Sequence, residues 1–572
     1  MAILRPLLTR LQSLLRYANK STLCKAGVSI ALLFMTLIAF DSAIGLSSSI
    51  LQLAANFLPL ILLWLFLLAL TRRFGLSFAL GLMVLSSMFI ISAAKHKHIG
   101  QHLVLQDILL APTLLQGWDV FSRYTNFWLL GLGLVLLLVI IAQGLREKPF
   151  HILLPIPLMI VCFAGGQGIT SPTLFPETLY GARAFDDSPW KGRSLAQSQG
   201  LLASFISAAK INRFTTPDYN KPLLEQFAKQ YHDNLTLSIP NNTAPDIVLW
   251  LGESYFDPGI LEGIDTCVYL PNYCELSKSS LTANIKVPTY GGNTTRTEFE
   301  VLTGIPFSRL GSESYPYFTA VRSKLDSIAW SLKSSAYRTV AIHTHDKKFW
   351  RRDRALPLLG FDQYLGESDL KNQQRDGPWI SDQALASGVI EQLQDNKKPN
   401  FVFAISMEGH GPFGNRKVLN EDLLNTIQAP KGITGKEARA WREYIYHAQN
   451  TITAIAQLKD FIDQREQPTL IVFFGDHLPG LNALFDKLNF ADGKSRYHQK
   501  TPALAFANYP IASTWQPSFS YELGLWSLQL AGIKPTSNLQ QLSLATSLLR
   551  SKSDKTLEPV IKSLQLRLLS SP

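Results

Sequence analysis

Cysteine is scarce in this sequence, charge is low, and repetition is absent. Four cysteines, Cys24, Cys162, Cys267 and Cys274, stand in 572 residues. No two of them form a CxxC pair, which argues against a zinc ribbon or a thioredoxin-type redox site. Only 17% of residues are charged while 47% are hydrophobic, so the chain is apolar enough for a membrane part and long enough for two or three domains. No internal repeat and no low-complexity tract occurs, which sets repeat architectures aside. The net charge is +11, yet no basic run is interleaved with aromatic residues. Nucleic acid is therefore not the expected partner. The positive charge near the N-terminus instead flanks apolar runs, as in a protein facing anionic lipid.

Five such runs occupy the first 170 residues: "AGVSIALLFMTLIAF", "LAANFLPLILLWLFLLAL", "LSFALGLMVLSSMFIISAA", "NFWLLGLGLVLLLVIIAQGL" and, weakened by two prolines, "FHILLPIPLMIVCFAGGQGI". Each approaches the ~20 apolar residues that span a bilayer. A cleaved signal peptide explains the first run and none of the other four. Arg5, Arg10, Arg16, Lys20 and Lys25 precede the first run, Arg72 and Arg73 follow the second, and Arg146 and Lys148 follow the fourth. The positive-inside rule puts these three segments in the cytoplasm. Lys95 and Lys97, in the third loop, argue weakly the other way. That loop also holds a short amphipathic stretch suited to the interface. An odd number of spans then places everything after about residue 170 outside.

From Ala244 the pattern changes. Short apolar runs, "DIVLWL", "RTVAIHT", "NFVFAIS", "TLIVFFG" and "PALAFA", read as buried parallel strands. The intervening "ISDQALASGVIEQLQD" and "WREYIYHAQNTITAIAQLKDFIDQ" read as helices, so an α/β domain with a mainly parallel sheet is expected. Sites in such sheets lie at the carboxyl ends of the strands. Those ends carry Glu253, then His343 with His345 and Asp346, then Glu408 and His410, then Asp476 and His477. One histidine in such a place is more often structural than functional. Four strand ends that all deliver oxygen or nitrogen donors suit a cation such as Mn²⁺, Zn²⁺ or Mg²⁺.

A cation held by Glu253, Asp476 and His477 leaves a position for a nucleophile, and a metal-bound hydroxyl ionises more easily. The segment "GGNTTRTEFEVLTG", residues 291–304, offers one. Its glycines permit a tight turn, and a threonine opening the next helix sits in that helix's positive field. The plainer reading makes Thr294 or Thr295 an N-cap with Glu298 assisting, and the two readings are compatible.

In this order the motifs resemble the membrane-anchored alkaline-phosphatase/sulfatase superfamily. Within it they are most like lipoteichoic-acid synthases and the phosphoglycerol transferases that modify periplasmic glucans. The third-loop stretch "KHKHIGQHLVLQD" also resembles the corresponding family loop. The resemblance implies an α-helical membrane domain of about five spans followed by an extracytoplasmic α/β domain of alkaline-phosphatase/sulfatase type. The expected boundaries are 1–171 for the membrane domain, 172–243 for a partly helical linker, 244–550 for the catalytic domain and 551–572 for a C-terminal tail.

Position by position, the resemblance makes Glu253, Asp476 and His477 metal ligands, with Thr294 as nucleophile also approaching the metal. Mn²⁺ is the first expectation, with Zn²⁺ or Mg²⁺ as alternatives. His343, Trp350 and Arg352 in "IHTHDKKFWRRD" match residues that hold a phosphoglycerol head group. His410 in "MEGHGPF" matches a phosphate-side histidine that donates a proton to the leaving group. The plainer readings are a solvated charge for Arg352, like Lys347, Lys348, Arg351 and Arg354, and a core ring for Trp350. Thr295 is the alternative nucleophile. Two departures lie beside the substrate: Asn293 replaces the lysine usual in lipoteichoic-acid synthases, and Glu408-Gly409 replaces the commoner Thr-Asn.

The function so implied is transfer of phosphoglycerol from phosphatidylglycerol to a glycan or polyglycerolphosphate through a phosphothreonine, by a multi-pass protein of the bacterial inner membrane. The alternatives are a phosphoethanolamine transferase acting on lipid A or a surface glycan, and a catalytically inert membrane scaffold. Phosphoethanolamine transferases often carry several disulfides, and only Cys267 and Cys274 offer a pair here. A disulfide there fits an oxidising compartment; otherwise both are free thiols. A sulfatase in the strict sense needs a C/S-x-P-x-R motif around its reactive residue, and the outer domain has none.

Overall fold

The computed structural model of the chain describes residues 20–46, 49–99, 102–105, 107–108, 127–149, 155–170, 196, 199–211, 219–232, 244–310, 315–395 and 397–570. The described residues of the five apolar runs lie on helices: α1 Lys20–Ala43, α2 Ile50–Thr71, α3 Phe74–Ile99, α4 Phe127–Leu145 and α5 Pro155–Thr170. Ser49 and Gln52 cap α2 reciprocally. Pro155 opens α5, where the missing N–H costs nothing. Among the described residues three helices are long and apolar enough to cross a membrane, with stretches of 18, 20 and 24 residues in α1, α2 and α3. Helix α4 has 19 residues and α5 has 16. The amphipathic stretch expected later in the third loop lies outside the described residues.

Two helices follow. Helix α6, Leu201–Ile211, docks on α2, where Asn56 Nδ2 donates to Gln199 O at 2.6 Å and Asn56 Oδ1 accepts from Ala203 N at 3.0 Å. Helix α7, Lys221–Gln230, is capped by Asn220 and sends Leu224 and Phe227 into the core of the outer domain.

The outer domain is built on a seven-stranded sheet of β1 Asp246–Gly252, β2 Leu281–Ile285, β3 Arg338–His343, β4 Gln363–Leu365, β7 Asn400–Ile405, β8 Thr469–Gly475 and β9 Thr501–Ala507. A separate hairpin pairs β5 Arg375–Asp376 with β6 Trp379–Ile380. The order in the large sheet is β2-β9-β8-β1-β7-β3-β4. Both faces are covered, which is why the central strands read as unbroken apolar runs. Ile247, Leu249 and Leu251 of β1 enter one core, and Val248 and Trp250 enter the other. Helices α9 Asp382–Leu393 and α10 Gly435–Asp463 cover the second face. Both fall where the sequence places them.

One strand direction differs from expectation. "PALAFA" is β9, and it runs antiparallel to both β8 and β2. Thr501 Oγ1 donates to Gly475 O at 2.7 Å, so β9 starts beside the end of β8 instead of crossing over to the far edge. A strand buried on both faces carries no residue pattern that encodes its direction.

The segment expected as a C-terminal tail carries helix. Helix α12 runs from Ser537 to Lys552, and α13, Glu558–Ser570, buries Leu564 and Leu568 completely in the first core. Its apolar positions form a stripe too short to stand out beside the longer runs.

Candidate active site

The four site-bearing strands are neighbours in the order β8-β1-β7-β3. All four run parallel, so their carboxyl ends form one row. Glu253 follows β1, and Asp476 and His477 follow β8. One donor atom from each of the three residues falls within a span of 4.8 Å. All three are buried. Ser254 anchors both carboxylates: its N–H donates to Asp476 Oδ1 at 2.7 Å and its hydroxyl to Glu253 Oε1 at 2.8 Å. His477 Nδ1 hydrogen-bonds Leu478 O at 3.0 Å. A carbonyl only accepts, so Nδ1 carries the proton and Nε2 keeps its lone pair.

That lone pair lies 3.1 Å from Asp476 Oδ2 and 3.7 Å from Glu253 Oε1. His477 Nε2 and Asp476 Oδ2 are buried without a hydrogen-bond partner. Two lone-pair atoms facing each other this closely repel unless a proton or a metal cation lies between them. Donors at the usual ~2.1 Å from a zinc-like ion are themselves about 3.0–3.5 Å apart. Burial pushes the Asp476 carboxyl up to about 7 and also raises Glu253, with Asp476 adding to the rise. Burial lowers His477. The donor set and its orphaned atoms therefore fit a divalent cation, and the chemistry of the donors does not choose among Mn²⁺, Zn²⁺ and Mg²⁺.

The turn before α8, Thr294–Thr303, brings the nucleophile candidate to this cluster. Gly291 and Asn293 have φ of 68° and 65°. These two left-handed positions explain a glycine and an asparagine there. Asn293 occupies the N-cap and makes no side-chain cap, so Thr294 is the first helical residue and Glu298 closes no capping box. Thr294 Oγ1 donates to Glu253 Oε2 at 3.2 Å. Thr297 Oγ1 donates to Asp476 O at 2.9 Å. Thr295 is fully buried, and its hydroxyl makes no hydrogen bond. All ten residues of α8 are buried. The helix lies tight against α11, Ser520–Leu530, where a Cβ on Gly524 would stand 2.1 Å from Val301 O.

The other side of the row is formed by His343, Trp350, Arg352 and His410. His343 closes β3 and is fully buried. Its Nδ1 lies 3.3 Å from Ile405 O and its Nε2 3.2 Å from Arg352 Nη1, so Nδ1 donates and Nε2 accepts. Burial and the neighbouring Arg352 hold this imidazole neutral, well below its usual range. Arg352 is 1% exposed, which rules out a solvated charge. Its Nε lies 3.1 Å from both Glu298 oxygens, and its Nη2 also donates to Glu298 Oε1. Glu298 Oε2 further accepts from Tyr317 at 3.0 Å. Lys347 and Arg354 lie nearer solvent. Trp350 is half-buried, edge-on to Tyr315 with ring centroids 4.7 Å apart. It and Arg351 have φ of 61° and 58°, two consecutive left-handed non-glycine residues.

His410 is half-buried, with Nδ1 2.8 Å from Gly411 O. The loop that carries it is held by residues that sequence reasoning passed over. Buried Arg416 donates from Nη1 to Glu408 O at 2.9 Å and to His410 O at 3.2 Å. Trp379 Nε1 donates to His410 O at 2.9 Å. The Glu408 carboxylate accepts from Asp382 N at 2.6 Å, Asn450 Nδ2 at 2.7 Å and His447 Nδ1 at 2.9 Å. Asp376, Glu408 and His447 also cluster closely enough for a cation, but the Asn450 amide already bridges the two carboxylates, reaching Asp376 Oδ2 at 3.2 Å. Burial raises both Glu408 and Asp382. Gly409 allows the loop to touch the metal strand: a Cβ there would lie 2.1 Å from Glu253 O. An aromatic row of Phe349, His345, Trp379 and His410 lines this side. Trp379 opens the two-residue strand β6 and Arg416 lies in a loop, both too short on pattern to stand out, and only their residue types hinted at them. Cys267 and Cys274, between β1 and β2, form a disulfide.

Residues 245–520 match the Sulfatase family. Two Rhizobium meliloti (strain 1021) proteins are similar over part of their length. The capsular polysaccharide biosynthesis protein RkpI is 32% identical over 267 residues, 45% of this chain and 45% of its own. A protein named for cyclic beta-1,2-glucan modification is 30% identical over 250 residues, 44% of this chain and 38% of its own. The chain thus spans less than half the length of these curated relatives. Among solved structures, Streptococcus pyogenes phosphoglycerol transferase GacH in complex with sn-glycerol-1-phosphate aligns with a TM-score of 0.51 at 22% identity, covering 62% of this chain and 94% of that one. With the mixed sheet and the row of strand-end donors, these matches make residues 245–520 a Sulfatase-family domain with an α/β fold of alkaline-phosphatase/sulfatase type, carried behind a set of apolar N-terminal helices.

Proposed function

We propose that the protein is a metal-dependent phosphotransferase of the cell envelope that moves phosphoglycerol from phosphatidylglycerol to a glycan. The observation that carries this reading is the Thr294 hydroxyl, 3.2 Å from Glu253 beside the orphaned donors of Asp476 and His477. A divalent cation bound by Glu253, Asp476 and His477, Mn²⁺ by preference, supplies positive charge that lowers the pKa of a nearby hydroxyl and offsets phosphoryl charge. Thr294 forms a bond to the lipid phosphorus, its proton passing to the solvent side through Glu253. The bond from phosphorus to the diacylglycerol oxygen breaks, and His410 as imidazolium protonates that oxygen from Nε2. An acceptor hydroxyl, deprotonated by the now neutral His410, then forms the new bond to phosphorus; the bond from phosphorus to Thr294 Oγ1 breaks, and that oxygen takes a proton back by way of Glu253. His343 and Trp350 line the head-group side. Arg352 acts through His343 Nε2 and Glu298, because its guanidinium is engaged by both.

Donor choice is supported by the phosphoglycerol transferase that shares the fold, and a glycan acceptor by the names of the two Rhizobium relatives. The apolar helices and the Cys267–Cys274 bridge support a domain on the outer side of a bacterial inner membrane. The test is to incubate the purified full chain with phosphatidylglycerol or phosphatidylethanolamine and weigh the peptide containing Thr294. A phosphoglycerol adduct that needs the metal and is lost in Thr294→Ala is expected. A phosphoethanolamine adduct reassigns the donor. Full activity in Thr294→Ala sinks the covalent route, and a protein that binds no cation and transfers nothing is the inert scaffold.

A further inference from the structure

The C-terminal end of α3 and the loop after it reach both flanks of the site. On the substrate flank, Lys95 Nζ lies 2.9 and 2.8 Å from the two Asp107 oxygens, and Asp107 also accepts from Val104 N at 2.8 Å. The Tyr315 hydroxyl donates to Asp107 Oδ1, and Lys95 Nζ lies 3.4 Å from that hydroxyl. Tyr315 is 1% exposed, and its ring is the one set edge-on against Trp350. On the nucleophile flank, Lys97 O accepts from Asn482 Nδ2 at 2.5 Å. Asn482 Oδ1 in turn accepts from the hydroxyl of Tyr290 at 2.6 Å and from Arg496 Nη1 at 3.1 Å, and Tyr290 immediately precedes the Gly291 turn. Residues 102 and 103 are tied back to α3: Ser92 Oγ accepts from Leu103 N at 3.2 Å and meets His102 Nδ1 at 3.2 Å, and His102 stacks on His96 at 4.4 Å.

Trp350 and Arg351 occupy left-handed backbone that persists only where the surroundings enforce it. Trp350 packs edge-on against Phe349 and Tyr315, Arg351 lies over Phe318, and of these neighbours Tyr315 is the one held from the membrane side. We propose that Lys95 and Asp107 are positioning residues of the active site: through Tyr315 they set the Trp350 wall, so the outer domain's substrate side is complete only with the membrane helices in place. A donor lipid reaches Thr294 from the bilayer surface where α3 ends, so the same element meets the lipid plane and shapes the head-group side. The inference rests on the proposed head-group role of Trp350.

The test uses the full chain in nanodiscs containing phosphatidylglycerol, with diacylglycerol release as readout. Asp107→Asn and Lys95→Met are expected to raise KM for the lipid by about tenfold or more while kcat stays within about threefold, a displaced binding wall rather than damaged chemistry. Metal content is unchanged, and Asp107→Glu recovers most of the loss. Independently of any substrate, amide exchange across residues 345–354 speeds by about tenfold in Asp107→Asn while residues 470–478 keep their protection. Unaltered KM with unaltered exchange overturns the proposal, as does a loss of metal together with kcat. Wild-type protein inactive on phosphatidylglycerol overturns the donor reading alone, and the exchange measurement then decides this one.

Discussion

Substituting Glu298 tests whether helix α8 is held by a buried ion pair. Glu298 lies on α8, one turn after Thr294, and its side chain is 0% exposed, against 2% for the Arg352 side chain. Glu298→Gln keeps the shape and removes the charge, leaving the buried Arg352 guanidinium with neutral acceptors alone, the new amide oxygen, His343 Nε2 and Phe349 O. Breaking such a pair from one side costs about 3–5 kcal/mol, because an uncompensated charge remains. At roughly 2–4 °C per kcal/mol for a domain of this order of size, the melting temperature falls by roughly 6–20 °C. Arg352→Met orphans Glu298 and costs a similar amount. If the two sites were independent, the double variant would lose about 6–10 kcal/mol. Removing both charges instead leaves no orphan, so the double variant is expected near either single one, a coupling of at least about 2 kcal/mol. Denaturant melts of the four proteins, with metal content measured alongside, give the cycle. Single costs below about 1 kcal/mol, or additive losses in the double variant, refute a pair that holds the helix.

Gly409→Ala places a Cβ against Glu253 O, a backbone atom that cannot turn aside. Steady-state assays are expected to show activity lower by about tenfold or more, while Gly133→Ala, with open space around it, is neutral. Glu300, buried on α8, accepts from Phe307 N at 2.6 Å and from Ser520, and burial pushes its carboxyl up to about 8. The folded pKa exceeds the unfolded one, so this group's contribution is fully present below about pH 4.5 and is lost as pH rises towards 8. Melting temperatures recorded from pH 5 to 9 should therefore fall less in Glu300→Gln than in wild type. An equal fall in both proteins removes Glu300 from the explanation.

The strand ends were legible because each follows an apolar run and carries a donor-type residue. Glu253, His343, His410 and Asp476 therefore appear in the sequence as candidates, Thr294 appears separately through its glycine turn before a helix, and the structure brings them to one edge. The direction of β9 and the short strands β2 and β4 were not legible. An apolar run that is buried on both faces reads the same either way, and a five-residue strand with exposed Thr282 and Asn284 resembles a loop. Arg352 illustrates a different gap. Sequence weighed it between phosphate contact and solvent, while its partner Glu298 lies 54 residues earlier. The Arg416–Asn450–His447 support of the His410 loop is likewise spread across α10 and a loop, with no local signature.

Helix α13 adds a constraint of timing. Asn220 N, at the cap of α7, donates to Ser563 Oγ at 2.7 Å, and Leu224, Phe227, Leu564 and Leu568 share one core. The segment that enters the outer domain is therefore sealed by the segment that leaves it. During synthesis the ribosome delivers α7 more than three hundred residues before the helix that covers it. Until then the first core has an open side, and nascent chains stalled before residue 558 expose an apolar face to whatever chaperone or bilayer lies nearest.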